Sequence, residues 1–329
     1  MPKQMIAELQ PNEQVDSYFV ATHPSLLPFK NKPGQYLQVT LADRTGSMPA
    51  RAWDRGEELA SRFGPQDVVW VQGRVEEYRG QLQLIISDID LAGDGQYDRA
   101  DLLESTKRDV ADLLNKLLGF MAQVQEPHLR QLLERFFGDD TLLRNFCEAP
   151  GAKALHHSHL GGLLEHTVAV VTILLTVHDL HPELNRDLLI TGGLLHDIGK
   201  MQELAVGAAI EYTDRGRLLG HIVLTDRLVR ERIQEIPGFP QELDDLLNHI
   251  LLSHHGQKEY GAPIVPMTPE ACALHYADNL DAHVQYFQHA VEQGRSTGNS
   301  WTEYQKLFDR YLYIGPREAE ADSVAEETQ

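Results

Sequence analysis

The hydrophobic period of this 329-residue chain changes once, near residue 95, and the change puts two folds of different class on one polypeptide. Before it the chain reads as β-structure. Residues 36–41 alternate imperfectly and run into a turn-rich stretch at 42–47, and residues 48–53 return as a second strand. Residues 68–78 are β-branched and long. Arg79 and Gly80 then turn the chain into residues 81–91, where Leu82, Leu84 and Ile86 share one face. Residues 57–63 fit a short helix between strands. About five strands and one helix in about 80 residues predict a small OB-type β-barrel.

Beyond the linker at residues 92–96 the period becomes helical. Leu113, Leu114, Leu117, Leu118 and Met121 make one apolar face, and Leu129, Leu132, Leu133, Phe136 and Phe137 make another. The remainder to about residue 313 reads as nearly all helix. The predicted division is an OB-fold domain at 1–95, a helical connector at 96–145, an all-α domain at 146–314 and an acidic, unstructured tail at 315–329.

Residues 1–13 are polar, which argues against a secretory leader, and the apolar run at 167–177 is too short to span a bilayer. Cys147 and Cys272 are too few for a disulfide framework or a thiolate zinc site, so a cytoplasmic protein without a membrane partner is expected. The formal charge of −20 argues against bulk electrostatic gripping of nucleic acid. Residues 1–95 carry 9 Lys+Arg against 13 Asp+Glu, so local basic strips around Arg44, Arg51, Arg55, Arg74 and Arg79 remain available.

Fourteen of the 16 histidines fall between His156 and His289, which places metal or acid–base chemistry in the helical part. His196-Asp197-Ile198-Gly199-Lys200 ends an apolar run at 188–195. A helix that is apolar nearly all round is buried, and an aspartate at its end must be paired, protonated or bound to a cation. Lys200, one turn on, is a candidate phosphate contact. The bland alternative is a salt-bridged helix terminus.

The pair has company. His166 opens the apolar helix with Val170, Ile173 and Val177 on its face, and Gly161 and Gly162 before it permit close helix approach. His221 follows Gly220, His254 and His255 end a helix that starts near Pro240, and Asp278 lies one turn before Asp281. Each taken alone has a structural explanation: a core histidine, or imidazoles stabilised by a helix C-terminus. Together they give H, HD, H, HH, D at separations of 30, 24, 33 and 23 residues. Imidazole and carboxylate without thiolate suit manganese, iron, cobalt, nickel, zinc or magnesium. Seven ligands exceed what one open catalytic ion takes and suit two, with Asp197 bridging and Asp281 behind a ligand.

This order resembles the HD-domain phosphohydrolase superfamily. The stretches at residues 154–167, 196–200, 253–263 and 277–281, behind an OB domain, resemble more narrowly the YhaM-like 3′-to-5′ exoribonucleases. The resemblance covers the chain to about Ile314. It implies hydrolysis of single-stranded nucleic acid, RNA or DNA, from the 3′ end to nucleoside 5′-monophosphates with a divalent ion such as manganese. Asp197 and Lys200 are the residues expected to carry the chemistry. His156, His157 and His159 are candidate phosphate contacts or loop residues, and Phe19, Tyr36, Trp53 and Tyr78 are candidate base stackers or barrel core.

Two other functions compete. One is a phosphohydrolase of small nucleotides or cyclic dinucleotides, for which an OB domain has no use and of whose Gly-Tyr-Pro signature residues 260–263 hold only a partial echo. The other is a non-enzymatic nucleic-acid-binding protein, against which the complete ligand set speaks.

Overall fold

A computed structural model describes residues 3–29, 32–78, 80–93, 95–103, 105–153, 159–207, 210–295 and 298–316. His156, His157, Arg79 and residues 317–329, most of the expected tail, lie outside them. Two compact units emerge: Met1–Lys107 with Ala205–Tyr212, and Arg108–Leu204 with Thr213–Gln329.

In the first unit, β1 (Gln14–Pro28), β2 (Gln35–Asp43), β3 (Gly46–Ala52), β4 (Val68–Tyr78) and β5 (Gln81–Leu91) close a barrel in the order β1-β2-β3-β5-β4. Helix α1 (Gly56–Ala60) lies between β3 and β4. All strand pairs are antiparallel except β3 with β5. The two-residue period sorts the side chains. Leu37, Val39 and Leu41 of β2 point inward and leave Tyr36 outside. On β1 the inward set is Val15, Ser17, Phe19 and Ala21. Phe19 is therefore core, 1% exposed, and the stacking role considered for it is corrected. Among the described residues of this unit, Lys3 Nζ and Asp43 Oδ2 form a buried ion pair at 3.0 Å.

The second unit holds α2 (Val110–Met121), α3 (Pro127–Phe137), α4 (Asp140–Glu148), α5 (Gly162–Leu180), α6 (Arg186–Leu195), α7 (Lys200–Glu203), α8 (Asp214–Gln234), α9 (Gln241–Ser253) and α10 (Pro269–Arg295). Their starts follow capping chemistry: the Asp109, Glu126, Asp139, Asn185 and Thr213 side chains accept from first-turn amides. The helices α2–α4, expected as a connector, share one continuous core with α5, α6, α8, α9 and α10 through Leu117, Leu133, Phe136 and Phe146. Helix α6 is central. A Cβ at Gly192 would run into Ile250 of α9, and one at Gly193 into Leu174 and Val171 of α5, so the glycines on α6 let both helices approach closely. Gly161 has a φ of +77° at the start of α5.

Helix α5 is long and apolar enough to cross a membrane by composition, yet half of it is buried in the unit, and its first turn carries the buried Glu165 and His166. The helical expectation holds for this part of the chain, with two short exceptions. Strands β6 (Leu204–Val206) and β7 (Ile210–Tyr212) pair with each other, and residues 301–313 form a β-bridged hairpin after α10. Both are short, and neither alternates in a way that separates strand from helix.

Candidate metal centre

Five elements bring the expected ligands together in the second unit. His166 lies in the first turn of α5, His196 and Asp197 leave the end of α6, His254 and His255 follow α9, and Asp278 is on α10. His221 depends on a break in α8. Gly220 has φ 71° and ψ 154°, which bends the helix so that His221 starts a new segment. Thr225, one turn on, fixes that segment. Its hydroxyl accepts from the Gly199 amide at 3.0 Å and donates to the His196 carbonyl at 3.2 Å.

Every one of the five imidazoles donates its Nδ1–H outward. His166 donates to Asp281 at 2.7 Å, His196 to the Gly193 carbonyl at 2.9 Å and His221 to Glu203 at 3.1 Å. His254 donates to the Leu251 carbonyl at 2.6 Å and His255 to the Tyr260 carbonyl at 2.7 Å. Carbonyls and ionised carboxylates only accept, so these bonds make Nδ1 the donor and turn each Nε2 inward, where a cation could meet it.

The inward atoms fall into two groups, His166 with His196 and Asp197, and His221 with His254 and His255, each within 4.8 Å. Asp197 joins them. Its Oδ2 is 3.5 Å from His166 Nε2 and 3.4 Å from His196 Nε2, and its Oδ1 is 3.4 Å from His221 Nε2 and 3.7 Å from His254 Nε2. Asp278 Oδ1 adds a carboxylate 3.1 Å from His166 Nε2.

The site fits a cation on its own evidence. Asp197 Oδ1 and His254 Nε2 are buried without a hydrogen-bond partner. Such atoms are costly unless something else satisfies them. His221 Nε2 and His255 Nε2 face each other at 3.2 Å, and neutral rings in this tautomer present two lone pairs there.

Charge follows the same plan. Burial opposes ionisation of Asp197, but Lys200 and His196 hold its carboxyl well below the usual carboxylate range. Burial likewise works against Asp278, which His166 holds ionised. Burial, with the neighbouring His255 and His196, pushes His254 well down and keeps it a neutral donor. Burial also lowers His166, but Asp278 and Asp281 outweigh it and hold the ring at about 9.

The comparisons with known proteins agree with this geometry. The HD domain family matches residues 163–283, and the OB-fold nucleic acid binding domain family matches residues 27–92. The 3′-5′ exoribonuclease YhaM of Geobacillus sp. (strain WCH70) is 35% identical over 294 residues, 88% of each chain. The chain belongs to the YhaM family of 3′-5′ exoribonucleases. The YhaM of Bacillus licheniformis is 33% identical over 92% of this chain and 95% of that one. Among solved structures, the second OB-fold domain of replication protein A from Methanococcus maripaludis is 19% identical and covers 29% of this chain and all of that one, with a TM-score of 0.25. An HD-domain enzyme of this family is a metal-dependent phosphohydrolase, and its metal is a divalent ion.

The remaining candidate residues divide. Lys200 is engaged with Asp197, Nζ to Oδ2 at 2.6 Å, and stays charged because that pair outweighs its burial. His159 meets Glu165 at 3.2 Å, and Glu165 also pairs with Arg108 at 3.0 Å, which ties the chain before α5 to its first turn. On the barrel, Tyr36 and Trp53 form one cluster with Phe29: Tyr36 to Trp53 is 4.7 Å between centroids and Tyr36 to Phe29 is 5.4 Å. Arg51 approaches Trp53 and Lys32 approaches Phe29. Tyr78 is 55% exposed at the end of β4. Sequence reasoning missed Glu203, Thr225 and His275. Nδ1–H of His275 donates to the His254 carbonyl at 2.9 Å, and its ring lies where a Cβ on Gly256 would sit.

Proposed function

We propose that this 3′-to-5′ exoribonuclease holds two divalent ions, manganese foremost, one at His166, His196, Asp197 and Asp278 and one at His221, His254, His255 and Asp197. The observation that carries the reading is Asp197, whose two oxygens face two separate groups of inward Nε2 atoms. Ions held by these residues would supply Lewis acidity toward a phosphoryl oxygen and would lower the pKa of water at neutral pH. The residues do the rest. Outward Nδ1 bonds hold five rings in ligand geometry, and Lys200 places a fixed positive charge beside Asp197, where negative charge builds on the phosphoryl oxygens.

The partner is single-stranded RNA. His166, His196 and His254 are at most 2% exposed, while the side chains of His221 and Asp278 keep 12% and 16%, so a narrow end enters from their side more readily than a duplex. Phe29, Tyr36 and Trp53, with Arg51 and Lys32 beside them, give the barrel faces for bases to stack on. The test is a time course on RNA and DNA strands labelled at the 5′ end, with free or blocked 3′ ends, alongside a hairpin. Stepwise shortening of the free RNA strand, release of 5′-monophosphates and stalling at the hairpin are expected. Equal cleavage of the blocked strand would overturn the reading.

A further inference from the structure

The hairpin at residues 301–313 has two unlike faces. One packs on the second half of α10. Phe308 meets His283, Tyr286 and Phe287 at 4.7, 5.0 and 4.8 Å between centroids, and Tyr286 donates to Gln305 at 2.7 Å. Thr302 and Leu312 are buried, and Ile314 and Thr302 crowd Gly294. The other face is a cross-strand ladder of rings. Trp301 pairs with Tyr313 and Tyr304 with Tyr311, each at 5.2 Å and edge to face. Tyr311 and Tyr313 are two residues apart, so the pairs share one side of the ribbon. All four rings are exposed, at 55%, 57%, 43% and 58% in the order Trp301, Tyr313, Tyr304, Tyr311.

Further large apolar side chains are exposed on the same two elements. Leu307 is 62% exposed near the tip, and α10 carries Tyr276, Leu280 and Val284 at 67%, 53% and 45%. These three are spaced by four, a single stripe on the helix, and the stripe runs up to where Phe308 packs on His283. Residue 280 is turned about 200° from Asp278 around the helix axis, so the stripe looks away from the metal ligands.

We propose that this face is the contact by which two copies of the chain pair. Aromatic side chains carry about 150–250 Å² each, and these eight residues leave on the order of 1,000 Å² accessible, above the ~800 Å² per partner of a standard interface. Exposed aromatic rings paired in this way are uncommon on a monomer's surface, and Trp and Tyr are the residues that anchor interfaces. The charges select a second copy. Residues 299–316 hold two acids, Glu303 and Asp309, and two bases, Lys306 and Arg310, in a chain of net −20. A two-fold axis sets the acids of one hairpin against the bases of the other without repulsion between patches. An RNA strand is disfavoured here, because the thirteen residues after Pro316 carry five acids and one Arg and begin four residues past Tyr313.

The test is sedimentation of the full-length chain over a wide concentration range, for wild type and for Trp301→Arg with Tyr311→Arg. Wild type should reach twice the monomer mass, and the variant should dissociate about 30-fold or more readily. Oxidative footprinting of wild type gives a second readout that needs no variant: Trp301 and Tyr313 should be protected at high concentration and exposed on dilution. A wild type that stays monomeric would overturn the proposal, whether the rings are free, covered at every dilution by the chain's own barrel, or protected only on adding single-stranded RNA. A variant that is folded by circular dichroism and still pairs as wild type does would also overturn it. Self-association is read without turnover, so it stands or falls apart from the nuclease assignment.

Discussion

The barrel and the helical unit bury charge in opposite ways. In the barrel, Asp43 is fully matched: Lys3 meets Oδ2 at 3.0 Å, the Ile6 amide donates to Oδ2 at 2.8 Å and the Thr45 amide donates to Oδ1 at 2.8 Å. In the helical unit, the outer atoms of the site are matched with equal care, while Asp197 Oδ1 and His254 Nε2 are left without partners. A closed network contributes to stability and needs nothing more. A network closed on its outside and open on its inside is a binding site, because the open atoms recover their desolvation cost only when a cation arrives.

That contrast can be broken at several points. The largest effect is expected from Asp197→Ala, which removes the carboxylate facing both ligand groups. Turnover should fall by at least about 10³-fold, with loss of metal, in an assay that verifies metal content beside rate. Near-normal turnover would mean that the open atoms are not the reactive centre.

Asp43→Asn probes the closed network. It leaves the Lys3 ammonium buried without its counter-charge and should cost about 2–4 kcal/mol of barrel stability at neutral pH by thermal or urea unfolding. Burial works to raise the Asp43 carboxyl, but the Thr45, Ile6 and Lys3 bonds bring it below its ordinary value. Its contribution is therefore full above the usual carboxylate range and is lost as pH falls through the folded value. The variant should lack that acid-side loss, and an unchanged slope would assign it to other carboxyls.

Glu203→Gln tests the outer shell of the open network. Glu203 accepts from both the His221 ring and the His221 amide, at 3.1 and 3.0 Å. Metal affinity should fall about 10–100-fold with the helical fold intact, measured by metal titration alongside circular dichroism. The smallest effect is expected from Trp53→Ala, which removes one stacking ring. Binding of a long single strand should weaken about tenfold, while turnover of a very short substrate is unchanged. A parallel fall in both would move Trp53 out of strand binding.

These residues also show where the sequence was legible. Leu37, Val39 and Leu41 fix the inside of β2 by alternation alone, and the same parity would have removed Phe19 from the stackers had the register of β1 been applied to it. Six of the seven proposed ligands were legible because they stand at a helix start, end or break marked by glycine or by an apolar run, while Asp278, inside α10, was legible only through its spacing of one turn to Asp281. Glu203 was not. It lies in a four-residue helix before a short strand pair, and its partner His221 is 18 residues away across that pair. His275 was hidden differently, since its role depends on contact with the His254 carbonyl and Gly256, which sequence spacing does not reveal. The aromatic hairpin was read as helix because its strands are too short and irregular to display a period.

The most direct test of the account is the number of manganese ions bound per chain by the full-length wild-type protein at equilibrium, measured by dialysis and elemental analysis. Asp197 between two complete ligand groups predicts two. A value of one, or none, would contradict the two-ion centre.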